Sequence, residues 1–438
     1  MYRTNFLASM LALLLAPTLQ AASLVDVYQD AVQQDAQLAV EKARLEQARS
    51  QISQANAAIL PTITAGGSWN RSKPEDADAT TTTGLSLEAR QVLFSGEAWY
   101  GRSAANQSFV AAEAQYRDAE QELLLRTSEA YFAVLSAEDN LRTLQAEERA
   151  IQRQLEQVRE QHEVGLIAIT DVLEAQAAYD SVKAARIGAE GALMISYEDL
   201  EQITGERYDR IATLDAEMPV TQPEPNDRQA WTALALENSQ ALRQAEARLS
   251  AAEENLKSRR AGHWPSVEAY ANYSDVLSAD PETSPQQGRP LEGSTTEFGL
   301  RANIEIYGGG RTSAEVREGS YALEEARYSG DLARRQILQQ TRSLFTQVST
   351  NVLTVQARQQ AIRSAESALE ATRSGYEVGT RNIVDVLNAE RALWSAQRDY
   401  DAARYDYVVN QLRLLRAAGQ LKETDLRELN HWLVSIEN

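Results

Sequence analysis

Between Glu97 and Glu163 the chain has no proline, and its only glycine there is Gly101, close to the start. Apolar or small residues recur at alternating three and four positions: Phe109, Ala112, Tyr116, Ala119 and Leu123, then Ile151, Leu155 and Val158. That spacing marks one face of an α-helix. A second run keeps a seven-residue register through Leu338, Phe345, Val348, Val352, Val355, Ile362, Leu369 and Tyr376. Such a period winds helices around one another with a left-handed twist. About 65 residues rising ~1.5 Å each make a rod of roughly 100 Å. Propensity alone seldom sustains so long a helix, so each rod requires lateral partners. Gly165 and Gly379 end the two runs, and helices over about 170–204 and 382–417 are expected to return alongside them.

The two rods belong to a tandem duplication. Ala43-Arg44-Leu45 and Pro61 recur 204 residues on as Ala247-Arg248-Leu249 and Pro265. Ala89, Leu93, Phe94 and Gly96 recur at an offset of 213 as Ala302, Ile306, Tyr307 and Gly309. Val164-Gly165, Asp171-Val172-Leu173 and Gly205 recur at 214 as Val378-Gly379, Asp385-Val386-Leu387 and Gly419. Each repeat, 23–205 and 228–419, reads as a helix, a β-hairpin (62–94 or 266–307) and a long helix pair (97–204 or 311–417). The linker 206–227 carries Pro219, Pro223 and Pro225, which discourage a continuous helix. Residues 420–438 form a C-terminal segment.

The hairpins alternate strictly. Ile63, Ala65, Gly67 and Trp69 share one face of the first strand, Leu85, Leu87 and Ala89 one face of the second. Val267, Ala269, Ala271 and Tyr273 do so in the third, and Phe298, Leu300, Ala302, Ile304 and Ile306 in the fourth. Polar or charged residues, Glu88, Arg90, Glu268, Glu297, Arg301 and Glu305 among them, occupy the other faces. Period two, apolar on one side and charged on the other, is the pattern of a lipid-facing barrel strand. Polar loops at 71–83 and 275–295, with Pro74, Pro281, Pro285 and Pro290, read as exposed tips. Four strands cannot close a barrel, and an open edge in lipid strands backbone groups at several kcal/mol each. Copies must therefore pair edge to edge, two giving eight strands and three giving twelve.

Residues 1–22 have the plan of a secretory signal: Arg3, an apolar stretch from Phe6 to Ala16, and a small-residue exit at Gln20-Ala21-Ala22. The stretch falls short of the roughly 20 residues a spanning helix needs. An exported chain with no later apolar helix must enter a membrane by strands. The formal charge of −20 argues against a general nucleic-acid binder. Without cysteine there is no disulfide scaffold, iron–sulfur cluster, thiolate zinc site or lipidated N-terminal cysteine. His162, His263 and His431 lie far apart, outside any metal-ligand spacing, and Gly308-Gly309-Gly310 lacks the Lys-Ser/Thr of a phosphate loop. Neither enzyme, metal nor cofactor is expected.

The order signal, helix, hairpin, long helix pair, and then the same again, resembles the TolC-type outer-membrane efflux and secretion channels over roughly residues 23–420. Its most specific stretches are Val164-Gly-Leu-Ile-Ala-Ile-Thr-Asp171-Val-Leu and Tyr376-Glu-Val-Gly-Thr-Arg-Asn-Ile-Val-Asp385-Val-Leu. The resemblance implies a mainly α protein with a transmembrane β part. It would be a homotrimer whose hollow α-helical barrel continues into a 12-stranded β-barrel, four strands per protomer, belted by the linker and C-terminus. It also implies residence in outer-membrane lipid of a Gram-negative bacterium, reaching into the periplasm. The implied partners are a periplasmic adaptor and an inner-membrane pump or ABC exporter. The reading from a different class is an exported coiled-coil tether or adhesin, which would not conduct.

The resemblance also assigns roles. Pro61, Gly96, Pro265 and Gly309 are similar to strand–helix swivels. Thr170 and Asp171 would lock the periplasmic entrance against Tyr376 and Arg381, within and between protomers; an arginine fork suits that role. Asp385 would form a lumen ring of three like charges that attracts cations. Where the family has a second aspartate this chain has Asn388, so milder selectivity is expected. On local chemistry alone the same residues read as caps: Thr170 or Asp171 for one return helix, Asn382 with Asp385 for the other.

Overall fold

The computed structural model describes residues 21–434, apart from 74, 76–78, 281 and 283–290. Nearly all of the expected signal segment and the prolines Pro74, Pro281, Pro285 and Pro290 lie outside the described residues. The first repeat runs α1 (Leu24–Gln34), α2 (Ala36–Ala57), β1 (Thr62–Ser72), β2 (Thr80–Phe94), α3 (Gly96–Glu163) and α4 (Ile169–Thr204). The linker contributes β3 (Thr213–Leu214). The second repeat follows as α5 (Arg228–Asn238), α6 (Gln240–Ala261), β4 (Ser266–Asp280), β5 (Gly293–Asn303), α7 (Arg311–Glu377) and α8 (Ile383–Ala417). The chain then forms α9 (Glu423–Asn430) and β6 (Leu433–Val434).

Three features differ from the sequence reading. The single helix expected before each hairpin is a pair, broken at Asp35 and Ser239. Asp35 closes α1 and opens α2, its carboxylate accepting from the Leu38 amide at 2.6 Å; the Ser239 hydroxyl accepts from Leu242 in the same way. Such side chains compete with the helix for backbone donors. The second difference is strand length. β2 starts at Thr80 and β4 runs to Asp280, inside the expected loops, because threonine and serine there carry no apolar alternation. The third is β5, which ends at Asn303 although the alternation runs on through Ile306. Its repeat counterpart β2 continues to Phe94 between two neighbours, whereas β5 is an edge.

Long helices α3 and α7 run from the ends of the hairpins to the Gly165 and Gly379 turns. Toward the strands the packing order is α2, α3, α6, α7, and toward the Gly165 and Gly379 turns it is α4, α3, α8, α7. The main apolar core sits at the waist, where Leu24, Tyr131, Phe132, Leu135, Leu200, Val348, Val352, Val408 and Leu412 meet the linker and α9. There β3 and β6 pair, joining linker to C-terminus. A second core near the turns joins Ile151, Leu155, Val158, Ala175, Leu369, Ile383 and Leu387. On the strand side the α3 residues that bury are Ala104, Ala111 and Ala114, one step off the expected Phe109 and Ala112; small side chains let neighbouring helices approach closely.

The four long strands form one antiparallel sheet in the order β1-β2-β4-β5. Directly opposed residues share a face, and the register sorts most positions, the departures being Asp275 opposite Leu85, Gln91 opposite Ala269 and Val92 opposite Glu268. Ile63 lies opposite Ala89, Ala65 opposite Leu87, Leu87 opposite Tyr273, Ala89 opposite Ala271, and Ala269 opposite Leu300. Among the described residues nothing covers this apolar face: Ile63 is 72%, Trp69 68% and Phe298 82% exposed. The other face carries Glu88, Arg90, Glu268, Tyr270, Glu297 and Arg301. Arg90 pairs with Glu88 at 2.9 Å, Arg301 with Glu268 at 3.1 Å, and the Arg301 guanidinium lies 4.7 Å from the Tyr270 ring centre. Among the described residues no helix is long and apolar enough to cross a membrane.

Candidate gate and channel wall

Each long helix ends in the same glycine turn. Gly165 (φ +76°) and Gly379 (φ +77°) take the left-handed conformation that glycine adopts without penalty. Leu166 N–H donates to the Gln161 carbonyl at 2.9 Å and Thr380 N–H to the Gly375 carbonyl at 2.8 Å, the six-to-one bond of a Schellman end. Beyond the turns the repeats diverge. Asn382 caps α8, its side chain accepting from Asp385 N–H at 2.9 Å, while the Asp385 carboxylate accepts from Asn382 N–H at 3.3 Å. The same place before α4 holds Ala168, which offers no side-chain cap. Neither Thr170 nor Asp171 is therefore the N-cap. Both lie inside the first turn of α4, linked only by a marginal 3.5 Å contact from the Thr170 hydroxyl to Asp171. The divergence leaves Asp171 without the capping duty that occupies Asp385.

Within one chain Tyr376 does not bond Thr170 or Asp171. Its hydroxyl donates to Gln161 Oε1 on α3 at 3.1 Å, a partner that the sequence reading missed. Burial, and then the charge of Asp171, push the Tyr376 hydroxyl above its ordinary pKa, so it stays a donor at any physiological pH. Arg381 packs over Gly375, where an added Cβ would stand 2.8 Å from Arg381 Cγ. Its guanidinium reaches Asp385 only at 3.8 Å. Gln161 and Gly375 occupy equivalent places in the two repeats, and that mismatch, a polar side chain opposite none, was the available signal. Asn388 is exposed one turn along α8 from Asp385. His162, at the end of α3, has its Nδ1 3.0 Å from the Ile167 carbonyl, a contact within the turn.

At the strand–helix junctions Pro61 and Pro265 stand immediately before β1 and β4. Gly96 opens α3 beneath Ser95, whose hydroxyl accepts from Ala98 N–H at 3.2 Å. A Cβ on Gly96 would lie 2.6 Å from Trp264 Cε3 and 2.9 Å from Ala261 Cβ. At Gly309 (φ +64°) a Cβ would meet no described atom within 4 Å, so glycine there serves the backbone.

A sheet with one greasy, uncovered face and one charged face, set on two rods that end in a matched pair of turns, defines a wall segment of an outer-membrane channel. The profile of the outer membrane efflux protein family matches residues 27–206 and 231–420, and the chain belongs to that family. It is 33% identical over 420 residues to the outer membrane protein TolC of Vibrio cholerae, covering 95% of each chain. It is 29% identical to the alkaline protease secretion protein AprF of Pseudomonas aeruginosa, covering 81% of this chain and 76% of that one. The solved outer membrane protein VceC of Vibrio cholerae superposes with a TM-score of 0.78 at 21% identity, covering 90% of this chain and 96% of the other. The protein is an outer-membrane export duct and not an enzyme.

Proposed function

We propose that three copies close into a duct: a 12-stranded β-barrel in outer-membrane lipid, continuous with an α-helical barrel in the periplasm. The observation that carries the closure is that every free edge of the chain is the repeat counterpart of a seam already made inside it. β2 pairs with β4; the same step applied again pairs β5 with β1 of the next copy. Carrying the register forward at the repeat offsets, Leu87 opposite Tyr273 and Ala89 opposite Ala271 become Leu300 opposite Trp69 and Ala302 opposite Gly67. Apolar meets apolar, and the alternation beyond Asn303 gains the partner it lacks. The helices agree. On α8, Leu387 and Val408 bury against α3; their counterparts on α4, Leu173 (61% exposed) and Met194 (65% exposed), would bury against α7 of the next copy. Three copies rather than two follow the TolC-type pattern, and an eight-stranded barrel is filled by its own side chains.

The duct is closed at the glycine turns by the Tyr376–Gln161 bond within each copy and by Asp171, free of any cap, accepting from Arg381 of the neighbouring copy, with Thr170 beside it. Asp385 forms the charged ring, and Asn388 makes it a single one. Pro61, Gly96, Pro265 and Gly309 set the swivel between barrel and tube. A periplasmic adaptor and an inner-membrane pump or ABC exporter supply energy. The likeness to both TolC and AprF supports a cargo range that includes proteins. Purified protein tested by light scattering and planar-bilayer recording should be a trimer that conducts. A monomer, or a trimer without conductance, would replace this reading with that of a tether.

A further inference from the structure

We infer that the buried pair Glu147–Arg398 is the fulcrum of the gate, and that both are positioning residues acting through Tyr376 and Gln161. The inference rests on the duct reading above. Glu147 on α3 has a side chain only 4% exposed, and its Oε2 lies 2.6 Å from Arg398 Nη1 on α8. The pair sits where the apolar seam between α3 and α8 is interrupted. The waist core ends at Leu135 on α3, and the turn-side core resumes at Ile151. Between them α3 buries Leu144 alongside polar contacts, the Tyr405 hydroxyl donating to Asp139 and Arg142 pairing with Asp139 at 2.8 Å. The tie thus stands between two packed cores, each of which contains residues of both coils.

The repeats show which ties are general and which are special. Arg373 on α7 holds Glu390 on α8, and the same places in the first repeat, Arg159 on α3 and Gln176 on α4, are also bonded. Each coil is thus fastened to itself on the turn side and moves as a unit. The Glu147–Arg398 tie joins one coil to the other, and its counterparts 214 residues away are Ala361 and Ala184. The seam inside a copy is pinned by charge at this level; the seam expected between copies has two methyl groups there. Releasing Tyr376 from Gln161 therefore leaves the two coils of one copy joined at Glu147–Arg398. Past the tie, α3 runs on from Glu147 to Glu163 for about 24 Å at 1.5 Å per residue, and parting the turns there means exchanging the contacts of Ile151, Leu155 and Val158 with Ile383, Val386 and Leu387.

The natural absence of cysteine permits two spin labels per copy, diluted with unlabelled copies so that distances within one copy are read from the assembled protein. A turn-side pair takes Glu160→Cys with Glu377→Cys; a pair on the waist side of the fulcrum takes Ala133→Cys with Ala402→Cys. In Tyr376→Phe the turn-side distance should broaden while the waist-side distance stays narrow. Arg398→Gln should broaden the waist-side distance, and the exchange Glu147→Arg with Arg398→Glu should narrow it again. Arg398→Lys, which keeps the charge, serves if the glutamine variant fails to assemble, and should show an intermediate width. A waist-side distance that broadens in Tyr376→Phe alone, or that stays narrow in both Arg398 variants, overturns the fulcrum. A turn-side distance unmoved by Tyr376→Phe overturns the lock instead, and the Arg398 arm still decides the fulcrum.

Discussion

Removing the Tyr376 hydroxyl should open the resting channel by a calculable amount. The bond to Gln161 spans 3.1 Å between neutral groups, for which a net contribution of about 0.5–1.5 kcal/mol is usual. Both residues are half-buried, so water can satisfy the glutamine once the phenol is gone, which favours the lower half of that range. With three copies opening together, Tyr376→Phe would shift the balance by roughly 1.5–3 kcal/mol, or about ten- to hundredfold in the ratio of open to closed, at 1.4 kcal/mol per factor of ten. Single-channel recording measures this directly as open probability and mean conductance. The decisive comparison is a double-mutant cycle with Gln161→Met. If the bond does the holding, Tyr376→Phe adds little once Gln161 is gone. Full additivity of the two substitutions would refute the lock, even if each one opened the channel.

Four further outcomes follow from other places in the chain. Asp385→Asn keeps an acceptor for Asn382 N–H but removes the ring charge, so it should lower cation selectivity without loosening α8, whereas Asp385→Ala should do both, leaving the Asn382 cap in place and losing one bond to its N–H, about 0.5–1.5 kcal/mol; reversal potentials and thermal melts separate the two, and anion selectivity in the parent protein would refute the ring. Leu300→Cys with Trp69→Cys should oxidise to covalent trimers on denaturing gels, while Leu300→Cys with Gly66→Cys, on opposite faces of the expected seam, should not. Gly96→Ala should be rescued only in part by Trp264→Leu, because the Ala261 methyl stays at 2.9 Å once the indole is gone, whereas Gly309→Ala should cost about 1–2 kcal/mol through its left-handed backbone whatever surrounds it, both read from melting curves. Burial holds the Glu138 and Asp401 carboxyls above the usual carboxylate range; the folded state then binds more protons than the unfolded one, and stability falls as pH rises through the interval. Glu138→Gln, which keeps an acceptor for the Tyr197 hydroxyl at 2.6 Å, should therefore raise Tm at pH 7 and match the parent below about pH 4, where the unfolded carboxylate is also protonated.

Periodicity made the rods and the sheet legible because each obeys one rule over many residues. The seven-residue register around Val348, Val352, Val355 and Leu369 survives as buried positions, and strand alternation survives as two sorted faces. What failed was local and competitive. Asp35 and Ser239 look like ordinary polar residues on a helix, and only their capture of an amide three residues on reveals a break. Thr80 to Gly84 have no apolar–polar contrast, so the strand could not be distinguished from a loop. At the turns the sequence did not reveal the bond within one chain from Tyr376 to Gln161: a phenol on α7 reaches whichever acceptor α3 presents where the two helices end. That meeting at the turns depends on the core of Ile151, Leu155, Leu369, Ile383 and Leu387, in which α8 lies between them, and no local motif encodes it.

On the proposed reading, the duplication explains why a gate forms at this end. If both turns kept the second repeat's chemistry, each would have an asparagine cap, an aspartate bound to it, and a glycine where α3 has Gln161. The two aspartates would then be satisfied locally, and the Tyr376 hydroxyl would have no Gln161 to reach on α3. Loss of the cap at Ala168 frees Asp171, and the glutamine at 161 supplies an acceptor for Tyr376. The second change gives a bond between coils, and on the proposed reading the first gives another, each weak enough to be exchanged for contacts with a docking partner. Restoring the symmetry tests this argument. Ala168→Asn should re-engage Asp171 as a capping carboxylate, stabilise α4 by about 0.5–2 kcal/mol, and raise the resting conductance. A variant that is more stable and equally closed would show that Asp171 plays no part in closure.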